Sequence, residues 1–204
     1  MVRLFIFNMR LLLGFLLLVS SLSFAQKKIQ YKDYHLPVKY VLKKSSDTVN
    51  TRIVAQWAFK KNYFYPSTVI SRLYFLDSYG KKSIVKESQL NYIEITDFDG
   101  SIKKFTNSER FPSLKSDKDL LLVLHEGTKT GYYVDFFVAS IYGNVGATEY
   151  IIDENGTAIS SNLLSGREKK LKELFAKYPD LLSKVDFVKT REDMINLLEE
   201  YDKK

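Results

Sequence analysis

The sequence predicts an α+β domain: an antiparallel meander sheet of about eight strands, curled or partly closed, with two or three C-terminal helices packed on it. Three observations carry this reading. Short apolar or β-branched runs alternate with turn residues between about positions 38 and 162. Beyond residue 165 the apolar spacing changes to that of an amphipathic helix. Cysteine is absent, so no disulfide framework or thiolate metal site competes with packing as the source of order.

Taken in order, residues 1–25 read as a signal peptide. Arg3 and Arg10 precede the apolar run 11–19, and Ser23 and Ala25 stand at the −3 and −1 positions of a cut before Gln26. That run is far shorter than the ~20 residues that span a bilayer, which favours cleavage over anchoring. No later stretch approaches a spanning length, so no transmembrane segment is expected after cleavage. The product is then exported, either periplasmic or extracellular.

Residues 26–164 form the predicted β body. Runs at 38–42, 48–57 and 69–76 come first, and Asp77-Ser-Tyr-Gly80 turns the chain into 83–86. A second hairpin pairs 91–96 with 101–106 across Asp97-Phe-Asp-Gly100, where glycine supplies the positive φ that a tight turn needs. A third pairs 120–125 with 132–138, and a fourth pairs 149–152 with 157–160 across Asp153-Glu-Asn-Gly156. Four hairpins in succession predict a meander. Segment 107–118 lacks periodicity and reads as a surface loop over one edge of the sheet, pinned by Phe111 and Leu114. Segment 139–148, with Gly143 and Gly146, reads as a second irregular connection.

Residues 165–204 form the helical segment, packed on the same domain. Ser165 and Glu168 have capping-box spacing, and Leu171, Leu174, Phe175 and Tyr178 make one stripe of a helix reaching Tyr178. Pro179 breaks it. A short helical turn through Leu181, Leu182 and Val185 follows, and Thr190 caps a last helix with the stripe Met194, Leu197, Leu198 and Tyr201. Segments 171–182 and 191–201 resemble the ends of a group of uncharacterised exported β-rich proteins of Bacteroidota. The resemblance covers about one-fifth of the chain, with the β body matching in outline. Relatives often place a cysteine before the proline, where this chain has Tyr178. The resemblance implies the fold outline and export; it carries no activity and no functional residue.

Composition narrows function mainly by exclusion. With 45% hydrophobic and 27% charged residues the chain is an ordinary globular protein rather than a disordered one. The net charge of +7 includes Arg3 and Arg10 of the leader, so the remainder is mildly basic. That charge, without a recognition motif, argues against nucleic acid as a partner. His35 and His125 are the only histidines and neither has ligand spacing to another. His125-Glu-Gly-Thr-Lys129 ends in lysine where a zincin needs a second histidine. No nucleophile elbow and no cofactor motif occurs. A glycan hydrolase would need paired carboxylates, for which Glu94 with Asp97 and Asp135 with Glu149 are the candidates. The turns at Asp97 and Asp153 have fragments of a calcium loop, but aspartate and glycine are equally what hairpin turns prefer.

The most suggestive segment runs from Trp57 to Pro66, where Trp57, Lys60, Lys61, Tyr63 and Tyr65 interleave rings with cations. Rings stack on sugars and fill protein interfaces, and lysines attract anions, so these five are the candidate ligand-binding residues. The competing reading is that alternate rings fill the core while the lysines stay solvated. The leading function is a non-catalytic binding or interaction module of the cell envelope, taking an envelope protein or an anionic glycan. The alternatives are a carboxylate-based glycan hydrolase and a peripheral membrane or lipid-binding protein, the latter suggested by the basic face of the helix after residue 165.

Overall fold

A computed structural model of the chain describes residues 29–56, 63–114, 119–140, 143–160 and 167–204. The predicted leader, the Ser165 cap, and Trp57, Lys60 and Lys61 lie outside the described residues. Within them the fold is α+β, with ten antiparallel strands in one open sheet and three α-helices at the C-terminal end. The strands are β1 (His35–Leu42), β2 (Thr48–Val54), β3 (Arg72–Leu76), β4 (Lys82–Lys86), β5 (Leu90–Thr96), β6 (Ile102–Asn107), β7 (Leu120–Glu126), β8 (Gly131–Val138), β9 (Val145–Ile152) and β10 (Ala158–Ser160). The helices are α1 (Arg167–Leu174), α2 (Pro179–Leu182) and α3 (Arg191–Asp202).

Two details of the sheet correct the expectation. The order is β10-β9-β8-β7-β6-β5-β1-β2-β3-β4, so β5 pairs with β1 rather than with β4, and two meanders replace one. Only the 3-10 turn Glu87–Gln89 separates β4 from β5 in the chain, yet four places separate them in the sheet. In a flat sheet those places amount to ~19 Å, beyond the ~14 Å that the link reaches fully extended. The sheet must therefore curl so that β5, β1, β2, β3 and β4 wrap into a barrel-like unit. A β-bulge between Val41 and Leu42 sharpens that bend. The turn Pro66–Val69 fits the same geometry, because it touches both β3 and β8.

Inside the curl sits the largest core, which includes Leu36, Ile53, Phe64, Leu73, Phe75, Ile93, Ile95 and Phe105. Alternation along β8 divides its residues between two faces. Tyr132 and Phe136 share one face, Tyr132 joining the helices near the start of the strand and Phe136 packing against the barrel core near its end. The apolar stripes of the helices, Leu171 and Phe175 with Met194, Leu197, Leu198 and Tyr201, are buried against Tyr132, Ile151 and Ile159. On the opposite face Tyr133, Leu121 and Ile152 are covered by Phe111 and Leu114. Within the described part of the 107–118 segment, Phe111 and Leu114 thus lie over a face of the sheet, not its edge, and Ser108–Arg110 form a 3-10 turn.

Local chemistry accounts for the remaining boundaries. The expected strand 69–76 starts only at Arg72, because Pro66 opens a 3-10 turn and Ser71 sits at φ 66°. The expected irregular stretch 139–148 contains the first half of β9, whose Gly146 lies under the Phe137 ring. Helix α1 stops at Leu174 instead of Tyr178. Tyr178 precedes Pro179 and is driven to φ −128°, ψ 88°, and the chain tightens into i to i+3 bonds from Ala176 and Tyr178 to Glu173 and Phe175. Thr190 caps α3 as expected: its Oγ1 accepts from Asp193 N–H at 3.1 Å and Asp193 accepts from Thr190 N–H at 2.8 Å.

Candidate functional site

The aromatic segment is built by alternation. Phe64 is buried, its ring 6.1 Å from Phe105 and 5.8 Å from the Lys103 ammonium, and this anchors the chain to the barrel core. Its neighbours face the other way: Tyr63 is 52% exposed and Tyr65 half-buried. Their rings meet edge to face, 5.0 Å apart at 72°, an arrangement that their quadrupoles favour. Pro66 fixes the backbone just beyond them. Of the five predicted site residues, then, Tyr63 and Tyr65 stand together on an anchored surface.

Sequence reasoning named Asp135 but not the acid whose charge it feels. Glu87 of the β4–β5 link and Asp135 on β8 both feel the charge of Asp119, just before β7. Asp135 is 8% exposed, and its Oδ1 is buried with no hydrogen-bond partner. Burial, with the Asp119 charge adding to it, pushes its carboxyl up to about 6. Glu87 is pushed up to about 7, chiefly by burial, against the opposing hydrogen bond from Ser71 N–H and with further upward pressure from Asp119 and Asp135. Ser71 also accepts from Glu87 N–H at 3.2 Å, so its left-handed backbone turns both polar groups to Glu87. Thr106, Asn107 and Ser108, all buried, line the adjacent end of β6, and Ser108 Oγ accepts from Asp119 N–H at 3.1 Å.

The carboxylate pairs named from sequence do not form. Asp135 stands opposite Thr148 and Glu149 opposite Val134, so the alternating pleat sends those two acids to opposite faces. Glu149 accepts from the Tyr132 hydroxyl and pairs with Arg191 at 2.8 Å, fastening α3 to the sheet. Glu94 is held below the usual carboxylate range by Tyr92, 2.6 Å away, and by Lys39, whereas Asp97 pairs with Lys103 at 3.0 Å. The Asp-Gly turns spend their carboxylates on the backbone: Asp77 accepts from Tyr79 and Lys81, and Asp153 from Asn155 and Thr157, at 2.8–2.9 Å. Among the described residues no three His, Cys, Asp or Glu side chains are grouped to hold a metal ion.

Both histidines are structural. His35 Nδ1 accepts from Lys32 N–H at 3.2 Å, and burial followed by the charges of Lys32, Arg52 and Lys82 lowers its pKa. His125 Nε2 lies 2.8 Å from Asp202 Oδ2 at the end of α3, while Asp202 Oδ1 accepts from Lys129 N–H, Thr130 N–H and the Thr130 hydroxyl. The β7–β8 turn is thus a receptor for one carboxylate, filled by the chain itself. On α1, Lys172 pairs with Glu168 at 2.6 Å and Asp186 at 2.8 Å, and α3 is tied by Lys184–Glu200 and Lys204–Asp180 rather than by the α1 lysines. Among the described residues no helix is long and apolar enough to cross a membrane. Compared with known families, curated proteins and solved structures, the chain matches none.

Proposed function

We propose that this chain is an exported, non-catalytic binding module of the cell envelope, which engages an envelope protein or an anionic glycan through the surface around Tyr63 and Tyr65. One observation carries the reading: two tyrosine rings are presented outward on a segment whose intervening phenylalanine is locked in the core. Rigid rings with a polar tip offer contact area at low entropic cost, which is what an interface anchor needs. The leader-like residues 1–25 support export, and the mildly basic charge suits an anionic component.

A glycan hydrolase is served less well by the same structure. Its acid and base must face an open cleft. Asp135 is 8% exposed, beneath the surface that a polysaccharide would reach.

The test is cross-linked capture of the tagged protein lacking residues 1–25 from its native envelope, beside a Tyr63→Ala variant with unchanged melting. A partner identified by mass spectrometry that the wild type retains and the variant loses is the expected result. Equal capture by both proteins overturns the assignment of the surface. Cleavage of an envelope glycan by the wild type, abolished in Asp135→Asn, would replace binding with catalysis.

A further inference from the structure

We propose that Asn155 is a site of spontaneous covalent modification, where the exposed Asn155-Gly156 dipeptide converts through a cyclic imide to aspartate and isoaspartate at a rate set by opening of the turn that Asp153 holds. This stands apart from the aromatic surface and does not depend on its ligand.

The reaction needs only water. The Gly156 main-chain nitrogen, losing its proton, attacks Asn155 Cγ. The N–Cγ bond forms, the Cγ–Nδ2 bond breaks, and Nδ2 takes the proton and leaves as ammonia. Water then opens the imide. Cleavage between the nitrogen and Cγ leaves aspartate, whereas cleavage between the nitrogen and the Asn155 main-chain carbon leaves isoaspartate, whose chain runs through Cβ and Cγ. Nothing is oxidised or reduced.

Position singles this residue out. Of the nine asparagines in the sequence, only Asn155 precedes glycine, where no side chain shields the attacking nitrogen. A Cβ built on Gly156 would meet nothing within 4 Å, so the surroundings are open as well. Asn155 is exposed, and its carboxamide takes no hydrogen bond among the described residues. Asn107 precedes the small Ser108, but both are buried and Asn107 Oδ1 accepts from Glu109 N–H at 3.0 Å. Asp99-Gly100 holds the matching place in another hairpin. Bonds from Ser101, whose N–H lies 2.8 Å from Asp99 Oδ1, keep that carboxyl below the usual range, and an ionised carboxylate is a poor electrophile.

The turn restrains the reaction. Gly156 N–H donates to Asp153 O at 2.9 Å, and Asp153 Oδ1 accepts from Asn155 N–H at 2.9 Å and Thr157 N–H at 2.8 Å. While these bonds hold, the nitrogen keeps its proton and the backbone on both sides of Asn155 is fixed, so ring closure waits for local opening. Isoaspartate then adds one carbon to the main chain between Asp153 and Thr157, and the turn no longer fits the Asp153 oxygens. That turn closes β9 onto the three residues of β10, whose Ile159 belongs to the apolar cluster under the helices. The modification therefore loosens β10.

The experiment holds the purified protein folded at mildly alkaline pH, beside the same chain unfolded in guanidinium chloride and a folded Asp153→Ala variant. Peptide mass spectrometry locates the residue at which N–H is replaced by oxygen, and an isoaspartate-specific methyltransferase detects the rearranged chain. Conversion should come first at Asn155 in every sample. It should be on the order of tenfold slower in the folded wild type than in the unfolded chain, with Asp153→Ala between the two. Protein enriched in isoaspartate should melt below unconverted protein. Earlier conversion at another asparagine, or none at Asn155 in the folded protein while the unfolded chain converts, overturns the site. Equal rates in folded and unfolded wild type overturn the role of the turn, and this comparison stands even if Asp153→Ala does not fold. Equal melting of converted and unconverted protein overturns the effect on β10.

Discussion

Asp202→Ala is the perturbation whose cost can be worked most directly from the structure. The carboxylate is 11% exposed and takes bonds at 2.9, 3.0 and 3.2 Å on Oδ1, with His125 at 2.8 Å on Oδ2. Hydrogen bonds to a charged acceptor contribute about 1.5–3 kcal/mol each in isolation, but they share one group, and water enters once the side chain is gone. A net loss of about 3 kcal/mol is therefore expected, or roughly 6–12 °C in Tm for a chain of this size. Gly127 supplies the control. A Cβ at that position would stand 1.6 Å from Asp202 Oδ2, so Gly127→Ala expels the carboxylate and forfeits the same bonds. The two changes should then be strongly non-additive, with Gly127→Ala costing less than about 1 kcal/mol in the Asp202→Ala background. Equilibrium urea unfolding of the four proteins measures the cycle. A cost below about 0.5 kcal/mol for Asp202→Ala, or full additivity, refutes the argument that the β7–β8 turn is organised around this carboxylate.

Other substitutions separate surface from support. Tyr63→Ala should shift stability by less than about 0.5 kcal/mol, whereas Phe64→Ala, one residue on, should cost about 3–5 kcal/mol in the same denaturant assay. Thr190→Ala removes the acceptor at the start of α3 and should cost about 1 kcal/mol, with the helical circular dichroism retained. Ser71→Gly relieves a left-handed backbone at φ 66° and should be neutral or stabilise by up to about 1 kcal/mol, by thermal melting.

Local grammar was legible in the sequence wherever one short segment decides the outcome. The Asp-Gly turns at 77–80, 97–100 and 153–156 place hairpins as expected, since the aspartate satisfies the turn's own N–H groups and glycine takes positive φ. The stripe Met194, Leu197, Leu198 and Tyr201 is buried throughout, as its spacing implies. What could not be read was pairing between strands that do not follow one another. The β1–β5 ladder depends on curl, which the three-residue link enforces but does not announce in its composition. The mutual influence of Glu87, Asp119 and Asp135 was equally hidden, because these acids lie on elements far apart in the chain. No periodicity relates them. The Asp135 and Glu149 pairing failed for the complementary reason: proximity in the ladder is not proximity in space when the pleat alternates faces.

β8 is the element through which these levels connect. Tyr132 is buried among the helices, Phe136 packs against the barrel core, and Tyr133 lies under the Phe111 and Leu114 cover, so one strand touches all three apolar clusters. Val134 is fully buried on the face it shares with Tyr132 and Phe136, with Leu122 and Glu149 as its cross-strand neighbours. Val134→Ala removes two methyl groups at a point where neither barrel nor helices can move alone to close the gap. A cost of about 2–3 kcal/mol is expected, with the sheet and helix signals still melting together. If the helical signal instead melts separately at lower temperature, the C-terminal helices are a detachable layer, and the latch at Asp202 rather than the shared core is what joins them to the sheet.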